Sequence, residues 1–222
     1  MRFFCFILFV HLINCARVNK AEDNDLKAAR NFFLRELQRQ EALRNNLVLS
    51  NTVEADGSIR TLVNAKNENL VVKFDFLTRS QINDDSIWDI GFERFKIKTN
   101  SGKTNSNGKG GACYLGQGNF SSITSSSANG CPQDKFLGDS DASVNVSSSI
   151  GTAPSNFGQG YVGSQIMSNW YDYSIGFLKA SDRVYAVRSS DESKIFALQF
   201  LDYYDSAGTS GYITFKWKEI SK

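Results

Sequence analysis

Trp88–Asn100 reads WDIGFERFKIKTN, and the fold turns on how that stretch alternates. Trp88, Ile90 and Phe92 share one parity, opposite Asp89, Gly91 and Glu93. Then the pattern slips. Phe95 and Ile97 continue the apolar set on the other parity, while Arg94, Lys96 and Lys98 take the polar side. A strand alternates faces with period two, so one extra residue is needed to keep the same face buried across such a slip. A β-bulge supplies it. The pattern therefore predicts one long, bent, half-buried strand with its bulge at Glu93–Arg94 and with Phe92 and Phe95 both in the core.

Working outward, the C-terminal end is the clearest sheet. Arg183–Arg188 (RVYAVR) and Ile195–Leu201 read as strands joined by a turn at Ser189–Ser193. Tyr212–Ile220 is the last strand, with Ile213, Phe215 and Trp217 against Thr214, Lys216 and Lys218. Tyr203–Gly211 between them is rich in turn residues. This predicts an antiparallel meander with one wet face, in which Tyr203, Tyr204 and Trp217 serve packing. On the other side, Leu47–Thr52 and Arg60–Val63 flank the turn signal Glu54–Gly57, and Leu70–Leu77 alternates. Ser80–Ser86, the Gly-rich Asn100–Asn119 and the polar Ser121–Asn129 read as loops. Val144, Val146 and Ile150 are weak strand signals. Short strands at this spacing predict an all-β, antiparallel, sandwich-like domain.

Composition agrees and narrows function. The chain has 222 residues, enough for one domain and a tail, and aromatics make up 13% of it, which suits strands. Net charge is +2 with no basic block, so nucleic acid is not a predicted partner. Gly102-Lys103-Thr104 lacks the upstream glycine of a phosphate loop, because Ile97 stands there. Arg2, the apolar run Phe3–Ile13 and Asn14-Cys15 describe a secretory signal, too short to span a bilayer. Its end resembles a lipobox, with Asn14 in place of the usual small residue, and predicts lipidation at Cys15. An ordinary signal peptide with an incidental cysteine is the plainer alternative. Cys113 and Cys131 then remain as a pair in an exported chain, more readily a disulfide than a metal site. The single histidine, His11, falls in the signal. Ser-His-Asp and Cys-His catalysis are thereby excluded from the remainder, no other nucleophile–base pair stands out, and no enzyme is expected.

Ala21–Asn45 has strong helix propensity and an apolar stripe through Leu26, Ala29, Phe33, Leu37 and Leu43, with Asp23 or Asn24 as cap. It reads as a helical spacer or a partner-binding helix; packing on the sheet is the plain alternative. The predicted organisation is a signal over 1–15 ending at Cys15, a helical spacer over 16–46 and a β domain over 47–222.

Trp88–Phe92 and Arg94–Asn100, together with Trp170–Tyr173, Asp182–Arg188, Lys194–Tyr204 and Ala207–Phe215, resemble the HmuY family of haem-binding bacterial outer-membrane lipoproteins. The resemblance covers roughly Val48–Ile220. It implies an all-β, one-hand-like fold on a lipid anchor at the outer membrane or cell surface. It also implies haem as cofactor, an outer-membrane haem receptor as partner, and a non-catalytic, hemophore-like role in iron acquisition. The family's paired histidine or methionine ligands do not carry over, since only Met167 remains. Haem proteins also use tyrosine, so the axial candidates are Met167, then Tyr171, Tyr173 and Tyr114, all placed in loops. Core filling is the alternative for Met167. Weak or five-coordinate haem binding, another planar apolar ligand, and an interaction or adhesion module without haem all stay open.

Overall fold

The computed structural model describes residues 26–35, 37, 46–85, 87–143, 160–174 and 176–220. Residues 26–35 and 37 are helical (α1) and belong to a unit separate from the β domain, which begins at Ala42. The proposed cap residues, Leu43, Val144, Val146, Ile150, Cys15 and the signal lie outside the described residues.

Fourteen strands form among the described residues: β1 (Asn46–Val53), β2 (Ile59–Ala65), β3 (Val72–Asp75), β4 (Ser80–Ile82), β5 (Ile90–Glu93), β6 (Lys96–Thr99), β7 (Gly111–Gln117), β8 (Ser140–Ala142), β9 (Tyr161–Gly163), β10 (Tyr171–Ser174), β11 (Phe177–Ala180), β12 (Arg183–Arg188), β13 (Ile195–Tyr204) and β14 (Ser210–Glu219). A six-stranded sheet of order β1-β2-β14-β13-β12-β7 faces a four-stranded sheet of order β4-β3-β5-β6. All pairings are antiparallel. The fold is the all-β sandwich that the alternation predicts.

The core lies between the two sheets. Ile213, Phe215 and Trp217 of β14 and Phe196, Leu198 and Phe200 of β13 meet Phe74, Phe76, Ile90, Phe92 and Ile97 of the smaller sheet and its flank. Phe92 stacks on Phe215 at 5.0 Å and Phe74 meets Phe215 and Trp217 edge-on at 6.0 Å. Each such side chain, fully buried, contributes about 1.5–3 kcal/mol. Tyr203 and Trp217 are buried as packing residues, and the Trp217 indole N–H donates to Thr61 Oγ1 at 2.9 Å.

The deciding stretch folds differently from its reading. There is no bulged long strand. β5 ends at Glu93, β6 begins at Lys96, and the two pair as a hairpin with Phe92 opposite Ile97 and Glu93 opposite Lys96. Residues directly opposite share a face, and across a two-residue turn their numbers differ by an odd count. A parity slip is therefore also the signature of a hairpin. Arg94 takes the left-handed backbone of the turn at φ 51. Its N–H donates to Ala65 O at 2.9 Å, and its guanidinium reaches Lys66 O and Ser210 Oγ at 3.2 and 3.1 Å. Phe92 is fully buried, while Phe95 sits half-buried in the turn.

Two predicted loops hold strands. Ser80–Ile82 pairs with β3, and Gly111–Gln117 pairs with β12. Glycine content hid the second: a Cβ on Gly108, just before it, would lie 2.2 Å from Asn100 O, so this approach requires glycine. The residues of the phosphate-loop look-alike are structural. Thr104 Oγ1 and Thr99 Oγ1 both donate to buried Asp139 at 2.6 Å.

The outer face of the large sheet is not simply wet. Cys113 and Cys131 form a disulfide with Cα atoms 5.9 Å apart. Its loop holds two 3-10 turns, Phe120–Ser122 and Ser125–Gly130, and a third, Gln133–Lys135, follows it. Phe120 packs over Val184, Ala197 and Ile220, with the ammonium groups of Lys216 and Lys218 4.8 and 5.2 Å from its ring centre.

Candidate ligand site

The axial candidates converge on one end of the sandwich. Met167 lies in a 3-10 turn, Ile166–Asn169, that packs on β7. Tyr171 and Tyr173 are on β10, and Tyr114 is on β7. Three of the four thus stand on strands, not in loops. The turn is held by Trp170 N–H to Met167 O at 3.2 Å, and by Arg183 to Asn169 O at 2.9 Å. Trp170 is fixed in turn by its indole N–H on Phe95 O at 2.8 Å, so the β5–β6 turn buttresses the site.

Rings run without a break across this end. Phe177 neighbours Tyr204 at 6.3 Å, Tyr204 meets Tyr203 at 5.4 Å, and Tyr203 meets Trp170 at 6.1 Å. Trp170 contacts Phe200 at 4.6 Å, Phe200 meets Tyr185 at 6.2 Å, and Tyr185 meets Tyr114 at 5.9 Å. Tyr203, Trp170, Phe200 and Tyr185 are buried and Tyr204 half-buried; the ends, Phe177 and Tyr114, are 67% and 46% exposed. The rings pack on one another through the core, and Phe177 and Tyr114 carry the row out to solvent at its two ends.

The four candidates differ in what they offer. Met167 is wholly buried in the core, the placement that core filling gives. Tyr171 is buried, touches Phe95 at 5.9 Å, and its hydroxyl meets no hydrogen-bond partner among the described residues. Burial pushes the Tyr171 phenol well above its ordinary range, so it resists becoming the phenolate that iron prefers. Tyr173 packs half-buried against the core. Among the four, Tyr114 alone is exposed, at 46%. Tyr185 beside it was not singled out by sequence. Burial, the larger effect, raises its phenol, and the Arg183 guanidinium beside it lowers it. A tyrosine in the inward register of RVYAVR, among aliphatic neighbours, is the signal that marks it. Burial also lifts Tyr203 to about 12.

A separate depression of about 390 Å³ lies at the opposite end of β13, lined by Ile59, Phe76, Arg79, Phe196, Trp217 and Lys218 among others. The length of β13 separates it from the aromatic row, because Phe196 opens the strand and Tyr203 and Tyr204 close it.

The HmuY protein family model matches residues 67–217, which takes in β3 to β13, most of β14 and the whole aromatic row. The chain belongs to the HmuY family. No curated protein sequence matches it. Among solved structures, this HmuY-family chain is similar to a protein of Bacteroides vulgatus ATCC 8482 provisionally described as HmuY-like and haem-binding. The two share 18% identity over 77% of this chain and 96% of that one, with a TM-score of 0.54. It is similar to the apo HmuY analog of Tannerella forsythia at 15% identity, over 79% and 99% of the two chains, with a TM-score of 0.51. A Bacteroides fragilis NCTC 9343 protein provisionally described as a lipoprotein shares 19% identity over 77% and 95%, at a TM-score of 0.53. At these identities the likeness is one of fold.

Proposed function

We propose that this HmuY-family chain is a non-catalytic, surface haem-binding lipoprotein that takes part in haem acquisition. Family membership across residues 67–217 carries the reading. The row of rings ending at Tyr114 and Phe177 supports it, because it is the apolar wall a porphyrin would need. Haem supplies an iron centre that accepts an axial donor and two propionates that seek cations. Tyr114 would provide the donor from its exposed edge-strand position. Met167, within the 3-10 turn, and Tyr171, just after it, would do so only if that turn opened, and Tyr173 is the remaining alternative. Lys179, exposed on β11, and Arg183, half-buried, are the nearby cations for propionates. The surface location, the Cys15 anchor and transfer to an outer-membrane receptor belong to the same proposal. A Cys15→Ser change should abolish acylation; unchanged acyl mass on the mature protein would end that part.

Haemin titration of the chain from residue 16 tests the binding. Expected is a Soret shift at micromolar haemin without the low-spin spectrum of paired histidines. Tyr114→Phe should change the spectrum, and Met167→Ala should leave it. A shift altered only by Met167→Ala would move the ligand to the thioether. No shift in ferric or ferrous form would favour an interaction or adhesion module on the same scaffold.

A further inference from the structure

The depression at the start of β13 has the parts of a small-ligand site. It holds about 390 Å³, at the small end of the roughly 300–1,000 Å³ that ligand pockets occupy. Phe76, Phe196 and Trp217 line it as one cluster, with ring centres 4.6 Å apart for Phe76 and Phe196, 4.9 Å for Phe76 and Trp217, and 5.7 Å for Phe196 and Trp217. Leu77, 53% exposed, and Arg79 line it from the β3–β4 turn. Side-chain bonds fix that turn. The Phe76 N–H donates to Asp89 Oδ2 at 3.1 Å, the Leu77 N–H to Asp75 Oδ1 at 2.9 Å and the Thr78 hydroxyl to Asp75 Oδ2 at 2.8 Å. The Asn51 amide donates to Arg79 O at 2.8 Å. Arg79 takes left-handed backbone at φ 56, which glycine adopts at less cost. An arginine stands where the turn itself favours glycine.

The Arg79 side chain makes no ion pair or hydrogen bond among the described residues. The other charged groups of the lining are engaged. Glu219 accepts from Lys194 Nζ at 2.5 Å. Asp56 Oδ1 accepts the Ser58 N–H and O–H at 3.0 and 2.5 Å and lies in the field of Lys216 and Lys218. Lys218 carries its ammonium to the Phe120 ring on the outer sheet face. We infer that this depression binds a small aromatic carboxylate, its rings against Leu77 and the Phe76, Phe196 and Trp217 cluster and its carboxylate on Arg79. An aromatic body gains from edge and face contact with rings already clustered. A guanidinium matches a carboxylate as a two-bond pair. A turn fixed before the ligand arrives spares the cost of ordering it. The volume and the one unmatched cation select a monoanion of one or two fused rings. The inference does not rest on haem binding, because the aromatic row lies the length of β13 away.

The test is a titration of the chain from residue 16 with 2-naphthoate, read from the tryptophan indole N–H signals in a proton–nitrogen correlation spectrum. Trp217 reports the depression and Trp170 the aromatic row. The Trp217 signal should shift saturably, with a dissociation constant of about 1 mM or tighter, as a ligand of this size allows. The Trp170 signal should stay in place. The neutral 2-naphthamide should bind at least about tenfold more weakly than the acid. Arg79→Gln should abolish that difference and leave the thermal midpoint unchanged, since the side chain is exposed. A Trp217 signal unmoved at about 10 mM naphthoate would overturn the inference. So would equal binding of acid and amide by the parent chain, or a preference for the acid that survives Arg79→Gln. Movement of Trp170 in place of Trp217 would overturn it too, by assigning the carboxylate to the aromatic row.

Discussion

Asp89 shows how a single side chain can bind the sandwich together at a cost. It is buried, and accepts N–H groups from Ser190 at 2.8 Å and Phe76 at 3.1 Å. One carboxylate thus links the end of β3, the start of β5 and the β12–β13 turn. Burial lifts its pKa to about 7; the two N–H bonds oppose that, and the neighbouring Asp75 carboxylate adds to it. The folded pKa stands above the unfolded value, so the folded state holds the proton that the unfolded state releases between about pH 4 and 7. Stability from this group is complete below about pH 4 and is lost as pH rises through 7. Burial raises Asp139 too, which adds the same sign. Urea midpoints should therefore be higher at pH 5 than at pH 8. Asp89→Asn should flatten that difference while lowering both midpoints, since an amide can serve only one of the two N–H groups as acceptor. A slope unchanged in the variant would place the titrating group elsewhere. The two phenylalanines of the β5–β6 hairpin separate similarly. Phe92→Ala should cost about 3–5 kcal/mol as a core deletion, and Phe95→Ala about 1–2 kcal/mol as a half-buried one. Equal costs would mean that Phe95 is as buried as its neighbour.

At the scale of elements, the disulfide-tied segment on the outer sheet face makes the next prediction. The bond closes a sequence separation of 18, worth roughly 3 kcal/mol in the chain-entropy account. Cys113→Ser with Cys131→Ser should lower stability by about that amount and loosen Phe120 from Val184, Ala197 and Ile220. Increased binding of an apolar dye, alongside the lower urea midpoint, would report the uncovered face. A midpoint within error of the parent would show that the turns hold themselves. The same segment shows where sequence reading ends. β12, β13 and β14 were legible because Phe196, Leu198, Phe200, Ile213, Phe215 and Trp217 alternate cleanly. β7 was not, because an edge strand built on Gly111, Ala112 and Gly116 carries little apolar signal of its own and takes its register from β12. The hairpin at Arg94 escaped because a parity slip fits a bulge and a turn alike, and only the partner of Phe92 distinguishes them. For the site, Met167, Tyr171, Tyr173 and Tyr114 were nameable from residue type. That Tyr114 alone lies open depends on which side of β7 the neighbouring turn covers, which is a tertiary fact.

For the whole molecule, the β domain carries its own core, and α1 belongs to a separate unit. A chain starting at residue 46 should keep its thermal midpoint within about 2 °C of the longer chain, because core burial sets that value. A loss of 10 °C or so would mean that the preceding segment docks on the sheets.

The placement of β14 has a consequence for how such a chain is made. β14 lies between β2 and β13, and its Trp217 indole bonds Thr61 across a separation of 156 residues. The large sheet therefore cannot close until β14 has been synthesised. Contacts of that span form slowly, and a growing chain that lacks them stays open. The seam of the sandwich is thus left to the ten residues of β14, and a chain that has not yet made them lacks a closed core.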